Sequence, residues 1–389
     1  MRRAFKYRIV PQNAETEQNL IRWLNMCREL YNSALEERIN AYKKEGITRS
    51  AYDQMRDLKI IKMDRPEFKL IGSQVLKDVL SRLDLAYKAF FRRAKTGAGR
   101  QSGFPKFQSF RQFNSFTFPN SSGWSIDGRF LHITHIGRMK LYSTRGFPEI
   151  TSVSNGVRKA NILGMDVSIC TLTIKRMPTG KWFAVFSCKD VPTHPLPRAD
   201  TPRTVGLDVG IAHFLTDSNG ERVENPRFLD ADQKQLRVLQ RKLSRVKRGS
   251  KRREVVRIAV ARLHEKIVNR RRDFASKLAH FYVSRFDQVA VEKLDIKSMV
   301  KRGGDYRNLP RKIHDAAWRD FQFRIESQCE DHEKKFSQPD GKFTTMACSE
   351  CGAIKPMELN DRIYVCPVCG LVRNRTYNSA LNIRDKAFL

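Results

Sequence analysis

The sequence predicts an α+β protein of several domains. A helical stretch and an antiparallel barrel of short strands come first. A second mixed domain follows, interrupted by a four-cysteine insert. Three observations predict it. Between about residues 15 and 95, apolar residues recur at three- and four-residue spacing. From Ser115 to about Asp190, short β-branched and aromatic runs alternate with turn residues. Beyond a proline-rich stretch lie two short apolar runs that each carry a carboxylate, and then two CxxC knuckles. A chain of 389 residues is long enough for two or more domains.

Residues 3–10 alternate basic with apolar or aromatic, which reads as an opening strand that Pro11 ends. From about Glu15 to Lys44, Leu20, Trp23, Leu24, Cys27, Leu30, Tyr31 and Leu35 mark one helical face. Ser50 to Lys62 reads as a shorter helix. A third starts after Gly72-Ser73, with Val75, Val79, Leu80, Leu83, Ala86 and Phe90 on one side. Thr96 to Gly103 is a turn-rich break. In the next segment aromatics interleave with cations: Phe104, Lys106, Phe107, Phe110, Arg111 and Phe113. That pattern suits stacking on bases and pairing with phosphates, and it suits equally a set of phenylalanines bound for a core. Strands are expected at 115–118, 130–133, 140–143, 160–163, 172–176 and 182–187. Pro192–Pro202, with four prolines, reads as a linker.

The mixed domain opens on Thr204-Val205-Gly206-Leu207-Asp208-Val209-Gly210, a strand that sets Asp208 between two glycines. Asp217-Ser218-Asn219-Gly220 reads as the turn that follows it. A second strand candidate, Phe286–Leu294, contains Glu292. Acids at the ends of adjacent buried strands need a partner or a metal, and two of them can share a divalent cation. Between them, residues 237–272 hold 15 Lys and Arg against Glu254 and Glu265 alone. A helical stripe persists through this run, with Gly249-Ser250 dividing two helices. Crowding so many like charges favours a polyanion as partner, with Arg248, Lys251, Arg252, Arg253, Arg270, Arg271 and Arg272 as candidate contacts. Ile313 through Phe321 reads as one amphipathic helix.

Composition agrees with a nucleic-acid partner. Lys and Arg number 74 against 41 Asp and Glu, a formal net charge of +33. A hydrophobic content of 40% with 24 Phe argues for packed cores rather than a basic tail. No apolar run approaches the ~18 residues that span a bilayer, and the first residues lack a signal-peptide pattern. A cytoplasmic protein, associated with the nucleoid if bacterial, is therefore expected, with no membrane partner and no small-molecule substrate. Cys27, Cys170, Cys188 and Cys329 are scattered among apolar residues and read as buried thiols.

The strongest local signal is Cys348-x-x-Cys351-Gly352 with Cys366-x-x-Cys369-Gly370. Each pair sets two thiolates around one edge of a metal, and the glycine after it permits a tight turn. Two such knuckles make a closed tetrahedral site of four thiolates for structural zinc. An iron–sulfur or redox site is the alternative.

The order GLDVG, basic helical hairpin, AVEKL, CxxC…CxxCG and NSALNI resembles the TnpB family, over nearly the whole chain. Its members are transposon-encoded, RNA-guided DNA nucleases with an RNase H-like RuvC domain, related to type V CRISPR effectors. The resemblance implies a wedge-type β-barrel from 1–14 and 104–191, which holds guide RNA and reads a short motif beside the DNA target. It implies a helical recognition domain at 15–103, a linker at 192–203, a RuvC-like domain at 204–344 and 371–389, and a zinc ribbon at 345–370. It also implies catalytic Asp208 and Glu292 with Mg2+, and guide RNA and double-stranded DNA as partners.

One position departs from the family. Where an Arg-Asp-x-Asn-Ala-Ala-x-Asn-Ile pattern supplies a third acid, this chain reads Arg375-Thr376-Tyr377-Asn378-Ser379-Ala380-Leu381-Asn382-Ile383. Thr376 replaces the acid, and Asn374 is neutral as well. Thr is a good N-cap, so the helix start is expected to survive, but a hydroxyl is a poor ligand for a hard cation. Asp385 and Asp361 are unconvincing substitutes. The sequence therefore resembles the nuclease-deficient members of the family, which bind guide and DNA and can act as repressors. An active nuclease with a two-carboxylate site, and a guide-independent zinc-ribbon binder, are the alternatives.

Overall fold

The computed structural model describes residues 1–96, 103–120, 122–144, 146–154, 157–302, 309–358 and 361–388. The turn-rich break read at 97–102 lies outside the described residues. The chain forms two compact units, Met1–Pro192 and Thr193–Leu389. No described helix is long and apolar enough to cross a membrane.

In the first unit nine strands form one antiparallel sheet. They are β1 (Arg3–Pro11), β2 (Ser115–Phe118), β3 (Trp124–Asp127), β4 (Phe130–Ile133), β5 (Gly137–Tyr142), β6 (Glu149–Ser154), β7 (Val157–Ile162), β8 (Met165–Arg176) and β9 (Trp182–Lys189). Their order is β3-β4-β5-β1-β9-β8-β7-β6, with β2 branching from β8. The two ends of this path approach each other, so the sheet is a nearly closed barrel. β1 sits at its centre because its alternation suits both neighbours: Tyr7 and Ile9 are buried while Lys6 and Arg8 face outward. Two strands escaped the sequence reading. β6 is exposed along most of its length, and β3 buries only Trp124, so neither leaves a clear period of two. β8 starts well before the expected residue 172, because the register shifts between Ile169 and Thr171 and the bulge breaks the alternation.

Three helices pack with this barrel: α1 (Ala14–Glu45), α2 (Ala51–Asp64) and α3 (Ser73–Lys95). The Asn13 side chain caps α1 by accepting from Thr16 N at 2.8 Å, and Gly46 ends it at φ +68°. The apolar stripe read between Leu20 and Leu35 is buried throughout. Trp23 meets Phe116 and Phe118 at 5.7 and 6.2 Å between ring centres, which locks α1 to β2. Buried Arg38 donates to Gln54 Oε1 at 2.9 Å and pairs with Asp84 at 3.3 Å, joining all three helices.

The second unit is built on a five-stranded sheet. Its strands are β10 (Thr204–Val209), β11 (His213–Asp217), β12 (Arg222–Glu224), β13 (Gln288–Val291) and β14 (Lys335–Ser337), in the order β12-β11-β10-β13-β14. β10, β13 and β14 are parallel, and β11 returns antiparallel beside β10. Asp217, the last residue of β11, shapes the next turn, into β12, through its side chain, accepting from Asn219 N and Glu221 N, with Gly220 at φ +88°. The long hairpin is α4 (Phe228–Arg245) and α5 (Lys251–Arg285), with Ser250 capping α5. Then come α6 (Ile296–Arg302), α7 (Leu309–Ala316), α8 (Trp318–Asp331), the small hairpin β15 (Ile363–Val365) and β16 (Val372–Asn374), and the last helix α9 (Arg375–Phe388).

Two expectations need correction here. The single helix read from Ile313 through Phe321 breaks at Ala317, which sits at φ +53°. Asp315 forces the break: it accepts from Leu229 N at 3.1 and 3.2 Å and pairs with Arg271, while Trp318 and Phe321 turn into the core. The second carboxylate strand is shorter than Phe286–Leu294. Asp287 leaves the strand pattern to pair with fully buried Lys334 and to accept from Arg203 N at 3.0 Å. The proline-rich segment is also strapped down. His194 N donates to Asp331 O at 2.7 Å, and Lys334 donates to Pro197 O at 2.9 Å.

α9 crosses β10 at Gly206, and the approach is backbone to backbone. A Cβ at Gly206 would stand 2.2 Å from Ala380 O and 2.6 Å from Arg384 N. Only glycine permits this contact. Gly206→Ala is expected to lower stability by about 3 kcal/mol or more, through displacement of α9. Urea unfolding of the two proteins, followed by circular dichroism, checks this.

Candidate active site and metal centre

Asp208 lies on the central strand β10, opposite Thr216 of β11, and is 8% exposed. β13 runs parallel on the other side, with Leu207 opposite Val291, so the next residue, Glu292, emerges beside Asp208 at the same end of the sheet. The chemistry expected of the pair starts from this juxtaposition. Burial pushes the Asp208 carboxyl up to about 8, and the charge of Glu292 adds to the rise. Arg375 and Ser379 oppose it. Glu292 is raised too, by burial first, while a bond from Thr344 and the Lys386 ammonium pull it down. Two neighbouring buried acids that are both raised have an electrostatic demand for a cation, and a bound cation would oppose both shifts.

Glu292 is held from above by the loop after β14. A Cβ on Gly341 would lie 1.9 Å from Glu292 Oε1, so a side chain there would displace the carboxylate. Thr344 Oγ1 donates to the same oxygen at 3.4 Å, and Gln322 Nε2 donates to the Glu292 backbone carbonyl at 3.0 Å. Lys386 of α9 pins the loop by donating to Asp340 O at 2.8 Å and Lys342 O at 3.2 Å.

The third position is neutral. Thr376 Oγ1 lies 3.0 Å from Thr216 Oγ1, across from Asp208, and donates to Asn374 Oδ1 at 2.8 Å. Asn374, rather than Thr376, caps α9, since its Oδ1 also accepts from Thr376 N at 3.1 Å. Among the described residues only the four cysteines bring three or more metal-ligating side chains within 4.8 Å of one another, so no third acid joins Asp208 and Glu292 at that range. Asp385 is bonded to Arg384 at 2.6 Å, and Asp361 accepts from Glu358 N at 2.7 Å.

The cysteine cluster is compact. Cys348 Sγ lies 3.6 Å from Cys369 Sγ, and Cys351 Sγ lies 3.5 Å from Cys366 Sγ. A tetrahedron with zinc–sulfur bonds of about 2.3 Å has edges of about 3.8 Å, so four thiolates in this arrangement fit zinc. Gly352 and Gly370 both take φ +73°, the turn their places after each knuckle require. Buried Tyr364 packs against the cluster and donates to Ala353 O at 2.9 Å.

Asn378 and Asn382, one turn apart on α9, tie the ribbon to the sheet. Asn378 Nδ2 donates to Ala347 O at 2.7 Å, and its Oδ1 accepts from Ser349 N at 3.0 Å. Asn382 Nδ2 donates to Thr344 O and Ala347 O, both at 2.8 Å. Neither residue was singled out by chemistry in the sequence. Two asparagines at i and i+4 inside a helix, where asparagine is a poor former, were the available signal.

The basic candidates divide. Arg253 reaches back to Leu243 O and Val246 O at the hairpin turn, and Arg271 pairs with buried Asp315, so both are tied into the fold. Arg270 pairs with Asp232 at 3.0 Å but stays 41% exposed. Arg248, Lys251, Arg252 and Arg272 are exposed. Arg241, Lys242, Arg245, Lys247 and Arg252, which line a concavity of about 840 Å³ at the hairpin tip, include four that the sequence reading did not name. In the first unit Phe104 packs edge-on to Tyr87 and Phe90, Phe107 is 53% exposed, and Lys106 and Arg111 are exposed.

Two outcomes follow from this geometry. In metal-free protein the folded state keeps the Asp208 proton up to about pH 8, whereas the unfolded chain releases it near 4, so rising pH penalises the fold across that window. Asp208→Asn is expected to be more stable than the parent at pH 8 by about 1–3 kcal/mol, with the gain fading towards pH 4; urea melts in chelator at both pH values measure it. Purified protein is expected to carry one zinc per chain by elemental analysis, and Cys366→Ser to lose it together with protease resistance of the 345–370 segment.

Comparisons with known proteins extend over the chain. The family described as "Probable transposase" matches residues 185–303, the "Cas12f1-like, TNB domain" family matches 318–383, and a "Helix-turn-helix domain" family matches 1–46. The last segment here is a strand followed by one uninterrupted helix. A "Putative RNA-guided DNA endonuclease" of Streptomyces pristinaespiralis is 29% identical, over 98% of this chain and 89% of that protein. The "Putative RNA-guided DNA endonuclease InsQ" of Escherichia coli strain K12 is 25% identical, over 98% and 91%. Among solved structures, the Cas12f1–sgRNA–target DNA complex aligns with a TM-score of 0.56 at 15% identity, covering 96% of this chain and 83% of that one. The likeness to that structure concerns the fold. With three families matched in order along its length and relatives aligned over nearly all of it, the chain is similar throughout to the TnpB family.

Proposed function

We propose that this protein is an RNA-guided DNA-binding protein whose nuclease site lacks its third carboxylate. The observation that carries the reading is Thr376, a neutral side chain whose hydroxyl is engaged by Asn374 and Thr216 where a metal-ligating acid belongs. Asp208 and Glu292 would hold Mg2+, which when bound neutralises charge on the phosphodiester oxygens. With two carboxylates instead of three, the chain retains a cation site but has less charge to hold a second ion in line. Relatives named as RNA-guided DNA endonucleases support guide RNA and DNA as partners; a double-stranded target with a short adjacent motif is part of the same reading. The net charge of +33 supports the same partners.

In this reading residues 1–14 and 104–191 act as the wedge-type barrel and 15–103 as the recognition domain. Residues 204–344 and 371–389 act as the RuvC-like domain, 192–203 as its strapped linker, and 345–370 as the zinc ribbon. The protein works in the cytoplasm, on the nucleoid if bacterial. Occupying a target without cutting it suits a transcriptional repressor.

A second reading, an active two-carboxylate endonuclease, is favoured by one feature. Asp208 and Glu292 both stand at positions where burial penalises their charge, and a bound cation would offset that penalty. Cleavage of a guide-matched plasmid in Mg2+, by protein carrying its co-purified RNA, separates the two. The native protein is expected to bind without cutting, and Thr376→Asp to cut faster by about 10²-fold or more. Equal cleavage by both would establish the second reading. Absence of any specific co-purifying RNA would point to a guide-independent binder instead.

A further inference from the structure

Three residues stand immediately before the three parallel strands of the second unit. Arg203 precedes β10, Asp287 precedes β13, and Lys334 precedes β14. Asp287 joins the other two. Its Oδ2 accepts from Arg203 N at 3.0 Å, and its Oδ1 accepts from the Lys334 ammonium. Its backbone N donates to Arg203 O at 2.8 Å, and its backbone O accepts from Lys335 N at 3.0 Å. Lys334 gives a second proton to Pro197 O at 2.9 Å, so the same ammonium holds the strap before β10. The Asp287 side chain is 4% exposed and that of Lys334 0%.

The arms that run from this cluster are of equal length. Five residues on from Arg203 is Asp208, five on from Asp287 is Glu292, and five on from Lys334 is Pro339. Pro339 O accepts from Lys293 N at 3.0 Å, where the loop over Glu292 begins. Joining the strands at their starts therefore brings both carboxylates out level at their ends. The strands themselves set that level weakly. β13 has four residues and β14 three, and β10 and β13 are buried along nearly their whole length. Burial on both faces leaves no alternation of apolar and polar side chains to penalise a slip. A slip of one residue would move Glu292 about 3.3 Å relative to Asp208. Two ligand oxygens on one Mg2+ lie at most about 4 Å apart, so a slipped pair no longer shares the ion. A buried ion pair adds little stability, because desolvation offsets its attraction, and its best-attested use is to fix register.

We propose that Asp287 and Lys334 are positioning residues, which clamp the register of β10, β13 and β14 and thereby set the separation of Asp208 and Glu292. The clamp lies at the opposite end of the sheet from the carboxylates. It rests on the proposed function only in taking those two carboxylates as a divalent-cation site.

The probe is Mn2+, titrated into full-length protein and read by electron paramagnetic resonance. In the paired variant Asp287→Leu with Lys334→Met, apolar groups replace the ion pair and neither charge is left alone. It is expected to keep the zinc content of the parent and to bind Mn2+ about 10- to 100-fold more weakly, towards the level of Asp208→Asn. In a second variant, Arg203→Cys with Asp287→Cys and Lys334→Met, a disulfide takes over the clamp between two positions whose side chains meet at 3.6 Å. Mn2+ binding is expected at the parental level with the disulfide closed, and at the level of the paired variant once a phosphine has reduced it. Parental Mn2+ affinity in a folded paired variant would overturn the proposal, and so would equal binding before and after reduction. Should the paired variant not fold, the disulfide variant, compared with itself, carries the test. The cation reading fails separately, when the parent binds Mn2+ no better than Asp208→Asn. Amide exchange in chelator then decides: faster exchange in β13 and β14 on reduction supports the clamp, and unchanged exchange overturns it.

Discussion

The second unit depends on one close approach, the backbone of α9 against the backbone of β10 at Gly206. A helix packed through side chains normally stands about 10 Å from its neighbour. Removing the side chain lets α9 settle directly on the strand that carries Asp208. Everything else at the site follows from that seat. The N-terminal turn of α9 brings Thr376 to Thr216, its middle clamps the ribbon through Asn378 and Asn382, and its last turn pins the loop over Glu292 through Lys386. One glycine thus sets the positions of the carboxylate pair, the metal cluster and the loop between them.

The neutral residue at position 376 is well accommodated. Thr376 makes two side-chain hydrogen bonds, with Thr216 and Asn374. The electrostatic consequences fall on the remaining acids. With no third carboxylate within range, the cation demand of the site comes from two groups that are both raised above their ordinary values. Under the proposed function, structural integrity and catalytic competence are uncoupled at this position: the fold accommodates the threonine, and the site has one acid fewer.

Much of this was legible in the sequence where a pattern is dictated by one physical cause. The stripe of α1, the turn at Asp217–Gly220 and the cysteine knuckles each follow from a period or a spacing, and the structure carries them at the expected residues. What escaped was set by tertiary partners. Nothing local told that Asp315 would break a helix to hold Leu229 N and Arg271, or that Gly341 would press on Glu292. Charge runs were the least informative about individual residues. Arg253 and Arg271 read like their neighbours, yet their guanidinium groups serve the fold, while Arg248 and Arg272 face solvent.

The central place of β1 has a consequence for how the chain is made. β1 leaves the ribosome long before its neighbours β5 and β9, with Ile9 waiting for Trp182. At bacterial synthesis rates that wait lasts roughly ten to thirty seconds. During it the first strand, with Tyr7 and Ile9 bound for the core, has no partner in the sheet. The three helices encoded in between are local structures that can form within that time. Barrel closure is thus a late, long-range event in the birth of the molecule, and the interval in which β1 stands unpaired is its period of exposure to chaperones and to aggregation.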